Sequence, residues 1–115
     1  MDFSFKVSDT GKVPVIAVKG RLMDKDSATD LSKQLDTLLA GGKNKFIFDL
    51  GELEYINSMG LNLMVNYLTK VRNAGGDMSV ANVSDKVSQL LVVTKLNTLF
   101  AVHPDAATAM EKMHV

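Results

Sequence analysis

Apolar positions along the chain change their spacing at intervals, and each change marks a new element. Phe3–Val7 ("FSFKV") and Val13–Gly20 ("VPVIAVKG") alternate or run apolar, and the turn residues of "SDTGK" separate them, which predicts a β-hairpin. Pro14 has no N–H to give a ladder, so it belongs at the start or free edge of its strand. Ala28, Leu31, Leu35, Leu38 and Leu39 then recur at three- and four-residue intervals, the period of one helical face. Asp26 or Ser27 offers an N-cap for that helix and Gly41-Gly42 a stop.

Lys45–Leu50 ("KFIFDL") is a short apolar run with phenylalanines on both sides of Ile47, as suits a central strand covered on both faces. Leu61, Met64, Val65, Leu68 and Val71 mark a second helix from Ser58, closed near Gly75-Gly76. A strand, "MSVAN", follows. Ser84 caps a third helix with an expected buried stripe of Val87, Leu90, Leu91 and Thr94; "LFAVH" is a last strand, and a terminal helix starts near Pro104. Alternating strands and helices demand right-handed crossovers between parallel strands. The expected architecture is α/β: one domain over residues 1–115, with a mixed sheet, mostly parallel with an antiparallel N-terminal edge, and about four helices packed on it.

With 115 residues and 46% hydrophobic content, the chain can build one modest core. No apolar run approaches the roughly 20 residues of a membrane span, and the N-terminus has no signal-peptide pattern, so no membrane insertion and a cytoplasmic location are expected. There are no cysteines, and the two histidines, His103 and His114, lie far apart, which leaves no expected metal or cofactor. Thirteen basic residues balance thirteen acidic ones without a basic run, so a nucleic-acid partner is not expected. Asp49, Glu52 and Glu54 read as solvated loop acids, and "AGGKNK" as a helix stop without the Gly-Lys-Ser/Thr arrangement of a phosphate loop. Nothing here indicates an enzyme. Met64 and Met78 fall at core positions, whereas Met59 falls at the exposed start of the second helix.

The stretch "EYINSMGLNLM" carries the candidate chemistry. Asn57 and Ser58 stand at the start of the second helix, where unpaired backbone amides favour a side-chain oxygen. Ser58 alone can be read as an N-cap, or as both cap and phosphorylation switch, because a phosphate is favourable at that end of a helix. Gly60 costs the helix about 1 kcal/mol relative to alanine and so suggests close approach of another backbone or a phosphate.

The chain resembles the STAS domains, and among them the bacterial anti-sigma factor antagonists. "VIAVKGRL" is similar to the family's second strand, "GGDMSVANVSDKVSQLLVVTKLNTLF" to its late strand, turn and helix, and Asn57-Ser58-Met59-Gly60-Leu61 to its Asp-Ser-Ser-Gly-Leu signature. Asn57 replaces the signature aspartate and Met59 its second serine. Ser58 occupies the position phosphorylated in the antagonists, and Asp24 is similar to a partner-contacting aspartate, shifted by one residue. The resemblance implies a partner switch. The unphosphorylated protein binds an anti-sigma factor that is also a serine kinase, phosphorylation of Ser58 ends the binding, and a serine phosphatase resets it. Asp24, Asn57, Ser58, Met59, Gly60 and Asn62 are the expected partner-binding residues, and a monomer is the expected free state. The other expectation for a STAS domain is a scaffold that binds one partner constitutively, with Ser58 only a cap.

Overall fold

The computed structural model describes residues 3–8, 13–23, 26 and 28–113. Five strands, β1 (Ser4–Ser8), β2 (Val15–Leu22), β3 (Lys45–Ile56), β4 (Asp77–Ala81) and β5 (Ala101–His103), form one sheet in the order β1-β2-β3-β4-β5. β1 pairs with β2 antiparallel, and the three remaining pairings are parallel. The expected mixed sheet is thus observed, with β3 at its centre. Pro14 sits just before β2, where its carbonyl accepts the N–H of Ile47.

Four helices connect and cover the strands: α1 (Thr29–Ala40), α2 (Ser58–Asn73), α3 (Asp85–Val93) and α4 (Ala106–Met113), with a short 3-10 turn at Leu96–Thr98. Strand alternation divides the core. Phe46 and Phe48 join Leu31, Leu35, Met64, Leu68 and Val87 in the larger cluster under α1–α3, whereas Ile47 points the other way to meet Val13, Ala81 and Ala109 of α4. Met78 is fully buried on β4. Two-faced burial explains why β3 begins as a nearly continuous apolar run.

Several helix ends differ from expectation. The N-cap of α1 is Ala28 without a side-chain hydrogen bond; Asp26 contributes its backbone carbonyl, to the N–H and hydroxyl of Thr29, and Ser27 lies outside the described residues. Thr94 is exposed rather than part of the α3 stripe, its hydroxyl donating to the Leu90 carbonyl. Ser84 does cap α3, accepting the Val87 N–H at 3.2 Å. α4 starts from Asp105, whose carboxylate accepts the N–H of Thr108 at 2.7 Å; that hydrogen bond holds its pKa below the usual carboxylate value.

α1 and α2 are tied by a part-buried hydrogen bond, Ser32 Oγ to Tyr67 Oη at 2.8 Å, and by an exposed ion pair, Lys70 to Asp36 at 2.8 Å. Tyr67 is buried and stacks on Phe48 with ring centroids 6.1 Å apart. Burial raises the pKa of its phenol, with the Ser32 hydrogen bond acting in the opposite direction.

Candidate functional site at the start of the second helix

β3 continues well past its last pairing with β4, at Asp49, and that extension builds the site. Over it β3 pairs with β2 alone, and two register shifts give β3 one extra residue each, between Asp49 and Glu52 and between Leu53 and Tyr55. Leu53 and Ile56 consequently both turn into the core, while Glu52, Glu54 and Tyr55 turn out. Glu52 and Glu54 are therefore solvent-facing strand residues, not loop residues, and Asp49 is half-buried on the same strand. Asp49 accepts the Gly51 N–H at 2.9 Å. Tyr55 lies under the guanidinium of Arg21, 5.3 Å from its ring centroid, a cation–π contact at the top of β2 and β3.

The chain then turns directly into α2. Its cap is Asn57, in extended conformation, whose Oδ1 accepts the N–H of Gly60 at 2.9 Å. This corrects the reading of Ser58 as N-cap. Ser58 is the first helical residue, is exposed, and makes no hydrogen bond through its side chain among the described residues. Its hydroxyl is available for chemistry because its neighbour has taken the capping role.

Gly60 has an internal reason. A Cβ there would collide with the backbone carbonyl of Leu22 and come within 2.7 Å of Ile56 Cγ1. Gly60 is buried, and the close approach it permits is between α2 and the end of β2 of this same chain, rather than to a partner or a phosphate. Asn57 is half-buried; Ser58, Met59 and Asn62 are exposed, Met59 by 56%. The structure brings these residues together in the first turns of α2; Asp24 lies outside the described residues.

A groove of about 470 Å³ opens beside Ser58. One wall is Glu54–Ser58, and the other is one face of α3: Lys86, Gln89, Leu90 and Val93. Val93 is 77% exposed and Val92 56%, so α3 presents apolar surface to solvent, and Val93 lines the groove beside Ser58. Leu90, expected in the buried stripe, is half-buried and shared with this second face, whose other members Lys86, Gln89 and Val93 were not expected although the 86, 89, 90, 93 spacing is helical. His103 is half-buried at the end of β5, and His114 is outside the described residues. Among the described residues no cluster of three His, Asp or Glu could hold a metal ion, and no helix is long and apolar enough to cross a membrane.

A sequence model of the STAS domain matches residues 4–109. The chain belongs to the STAS domain family. A Thermotoga maritima protein provisionally named an anti-sigma factor antagonist is 27% identical over 112 residues, covering 96% of each chain. The crystal structure of an anti-sigma factor antagonist from Mycobacterium paratuberculosis superposes with a TM-score of 0.83 at 21% identity, over 97% of this chain and 94% of that one. The Bacillus cell fate determinant SpoIIAA in its phosphorylated form gives 0.75 at 15% identity, over 96% and 100%. At these identities the two structures establish the shared STAS fold.

Proposed function

We propose that this STAS protein is an anti-sigma factor antagonist of the partner-switching kind, acting in the cytoplasm as a substrate and ligand rather than an enzyme. Unphosphorylated, it docks through the start of α2 and the adjoining face of α3 onto an anti-sigma factor that is also a serine kinase, and so frees the sigma factor. Asn62 and Met59 accompany the serine on this surface, and Asp24, which follows β2 in the sequence, joins the contact set through the family resemblance. The kinase transfers the γ-phosphoryl group of ATP to Ser58 Oγ, which loses its proton, and ADP departs. A serine phosphatase returns the hydroxyl by hydrolysis, releasing inorganic phosphate.

The observation that carries this reading is the exposed Ser58 hydroxyl, without a hydrogen bond among the described residues, on the lining of the groove. A neutral hydroxyl there can be covered by a partner at little cost. A phosphate adds roughly 1.5 to 2 negative charges, whose burial in an interface opposes docking. The names of the relatives, anti-sigma factor antagonist in two of them and a phosphorylated form in the third, point in the same direction. The capping role that the constitutive-scaffold reading gave to Ser58 belongs to Asn57, and the comparison of phosphorylated with unphosphorylated protein separates the scaffold from the switch.

The test is capture from host lysate on wild-type, Ser58→Ala and Ser58→Asp baits, followed by titration of the identified kinase against these forms and the phosphorylated protein. Wild type and Ser58→Ala are expected to retain an anti-sigma serine kinase, and that kinase is expected to phosphorylate Ser58. Equal affinity for phosphorylated and unphosphorylated protein would overturn the switch.

A further inference from the structure

Ser58 and Lys86 line the same groove from opposite walls, one at the start of α2 and the other in the first turn of α3. Elsewhere on the surface Lys19 pairs with Glu52 at 3.6 Å and Lys70 with Asp36 at 2.8 Å. Lys86 is exposed and its ammonium forms no hydrogen bond or ion pair among the described residues. Among those residues, the other charged group on the groove lining is Glu54, on the β3 wall with Ser58. Arg21, at the same end of the sheet, is stacked on Tyr55 and does not line the groove.

One ammonium and one carboxylate balance in the unphosphorylated groove. A phosphate on Ser58 adds roughly 1.5 to 2 negative charges and leaves the groove with an excess that an unengaged lysine on a flexible stem can meet. We propose that Lys86 is the internal counter-ion of phosphorylated Ser58, its ammonium donating to the phosphate across the groove and tying the start of α2 to α3. This rests on the reading of Ser58 as a phosphorylation site and adds a second physical effect to it. Phosphorylation then fills the docking groove from within as well as charging it, so the released state is held by the chain's own residues.

The experiment bypasses the kinase by installing phosphoserine at position 58 during synthesis. The second ionisation of the phosphate is followed by phosphorus NMR against pH, at one low salt concentration, for wild type, Lys86→Ala, Lys86→Arg and Lys112→Ala. An unperturbed phosphoserine titrates near pH 6, and a neighbouring cation favours the dianion. In Lys86→Ala the midpoint is expected to rise by about 0.3 to 1 pH unit above wild type. Lys86→Arg restores it. Lys112→Ala, on α4 across the sheet, leaves it in place. The same midpoint in wild type and Lys86→Ala, or an equal rise in Lys112→Ala, would overturn the pairing. An unchanged midpoint together with normal partner release overturns the pairing alone; a shifted midpoint with no loss of partner affinity on phosphorylation overturns the partner switch and leaves the pairing standing.

Discussion

Asn57 Oδ1 accepts the backbone N–H of Gly60 at 2.9 Å, and this hydrogen bond frees the serine between them from structural duty. Asn57→Ala is therefore expected to lose about 0.5 to 2 kcal/mol of stability, the usual cost of removing a cap, whereas Ser58→Ala stays within about 0.5 kcal/mol of wild type. Asn57→Asp, which keeps the accepting oxygen and places a negative charge at the helix start, is expected to be at least as stable as wild type. Urea unfolding of the three variants decides the matter. A Ser58→Ala protein as unstable as Asn57→Ala would return the cap to the serine.

Gly60 is held by the Leu22 carbonyl, so its replacement acts on the fold before it acts on any partner. Alanine gains about 1 kcal/mol of helix propensity but forces apart α2 and the end of β2, and overpacking of this kind costs about 1 to 3 kcal/mol. Gly60→Ala should be less stable than wild type, and Gly60→Leu more severely so. A Gly60→Ala protein more stable than wild type, with weakened partner binding, would instead place the close approach at the interface.

The first half of β3 was legible in the sequence because Phe46–Phe48 is buried on both faces, and a short two-sided apolar run is what a strand between two covering layers requires. Its second half was not. Leu50, Leu53 and Ile56 point inward at every third residue, a spacing foreign to a flat strand, because two bulges displace the alternation. Bulges are set by pairing with β2, which no local pattern in β3 reveals. The position of Ser58 was legible through the family signature, but its freedom from capping depends on one Asn57 hydrogen bond, and Asn-Ser in sequence allows either residue to cap. The α3 wall of the groove was hidden for a different reason: Lys86 and Val93 approach Ser58 only through the tertiary packing of α3 beside the β3 extension.

Tyr67 supplies a pH-dependent contribution away from the groove. Burial raises its folded pKa above the unfolded value near 10, so the folded state holds the phenolic proton longer than the unfolded chain does. That contribution is complete below about pH 10 and is lost as pH rises through the folded value. Tyr67→Phe should cost about 0.5 to 1.5 kcal/mol near neutrality, by removing the hydrogen bond with Ser32. The gap between the two proteins should close above about pH 10, because the variant has no phenol to ionise. Urea midpoints measured in parallel from neutrality to about pH 11 test this, and a gap that widens with alkalinity would reverse the assigned sign.

Val93 and Met59 are the strongest candidates for residues that serve binding without serving the fold. They are 77% and 56% exposed, so each buries little of its side chain in the free protein, and substitutions at such surface positions normally change stability by less than about 0.5 kcal/mol. In a docked complex the balance changes. Fully burying a side chain of this size is worth about 1.5 to 3 kcal/mol relative to leaving it exposed, and the two stand on the two helices that border the groove. Val93→Ser and Met59→Ser should each weaken binding of the proposed kinase partner by about tenfold or more while leaving the unfolding midpoint near wild type, since about 1.4 kcal/mol corresponds to a factor of ten. Leu91→Ser provides the contrast: Leu91 is 4% exposed on the buried face of the same helix, and its replacement should damage stability first. Titration calorimetry on the two surface variants, beside thermal unfolding of all three, separates the faces of α3. Undiminished affinity in Val93→Ser together with a tenfold loss in Met59→Ser would confine the docking surface to α2 and remove α3 from it.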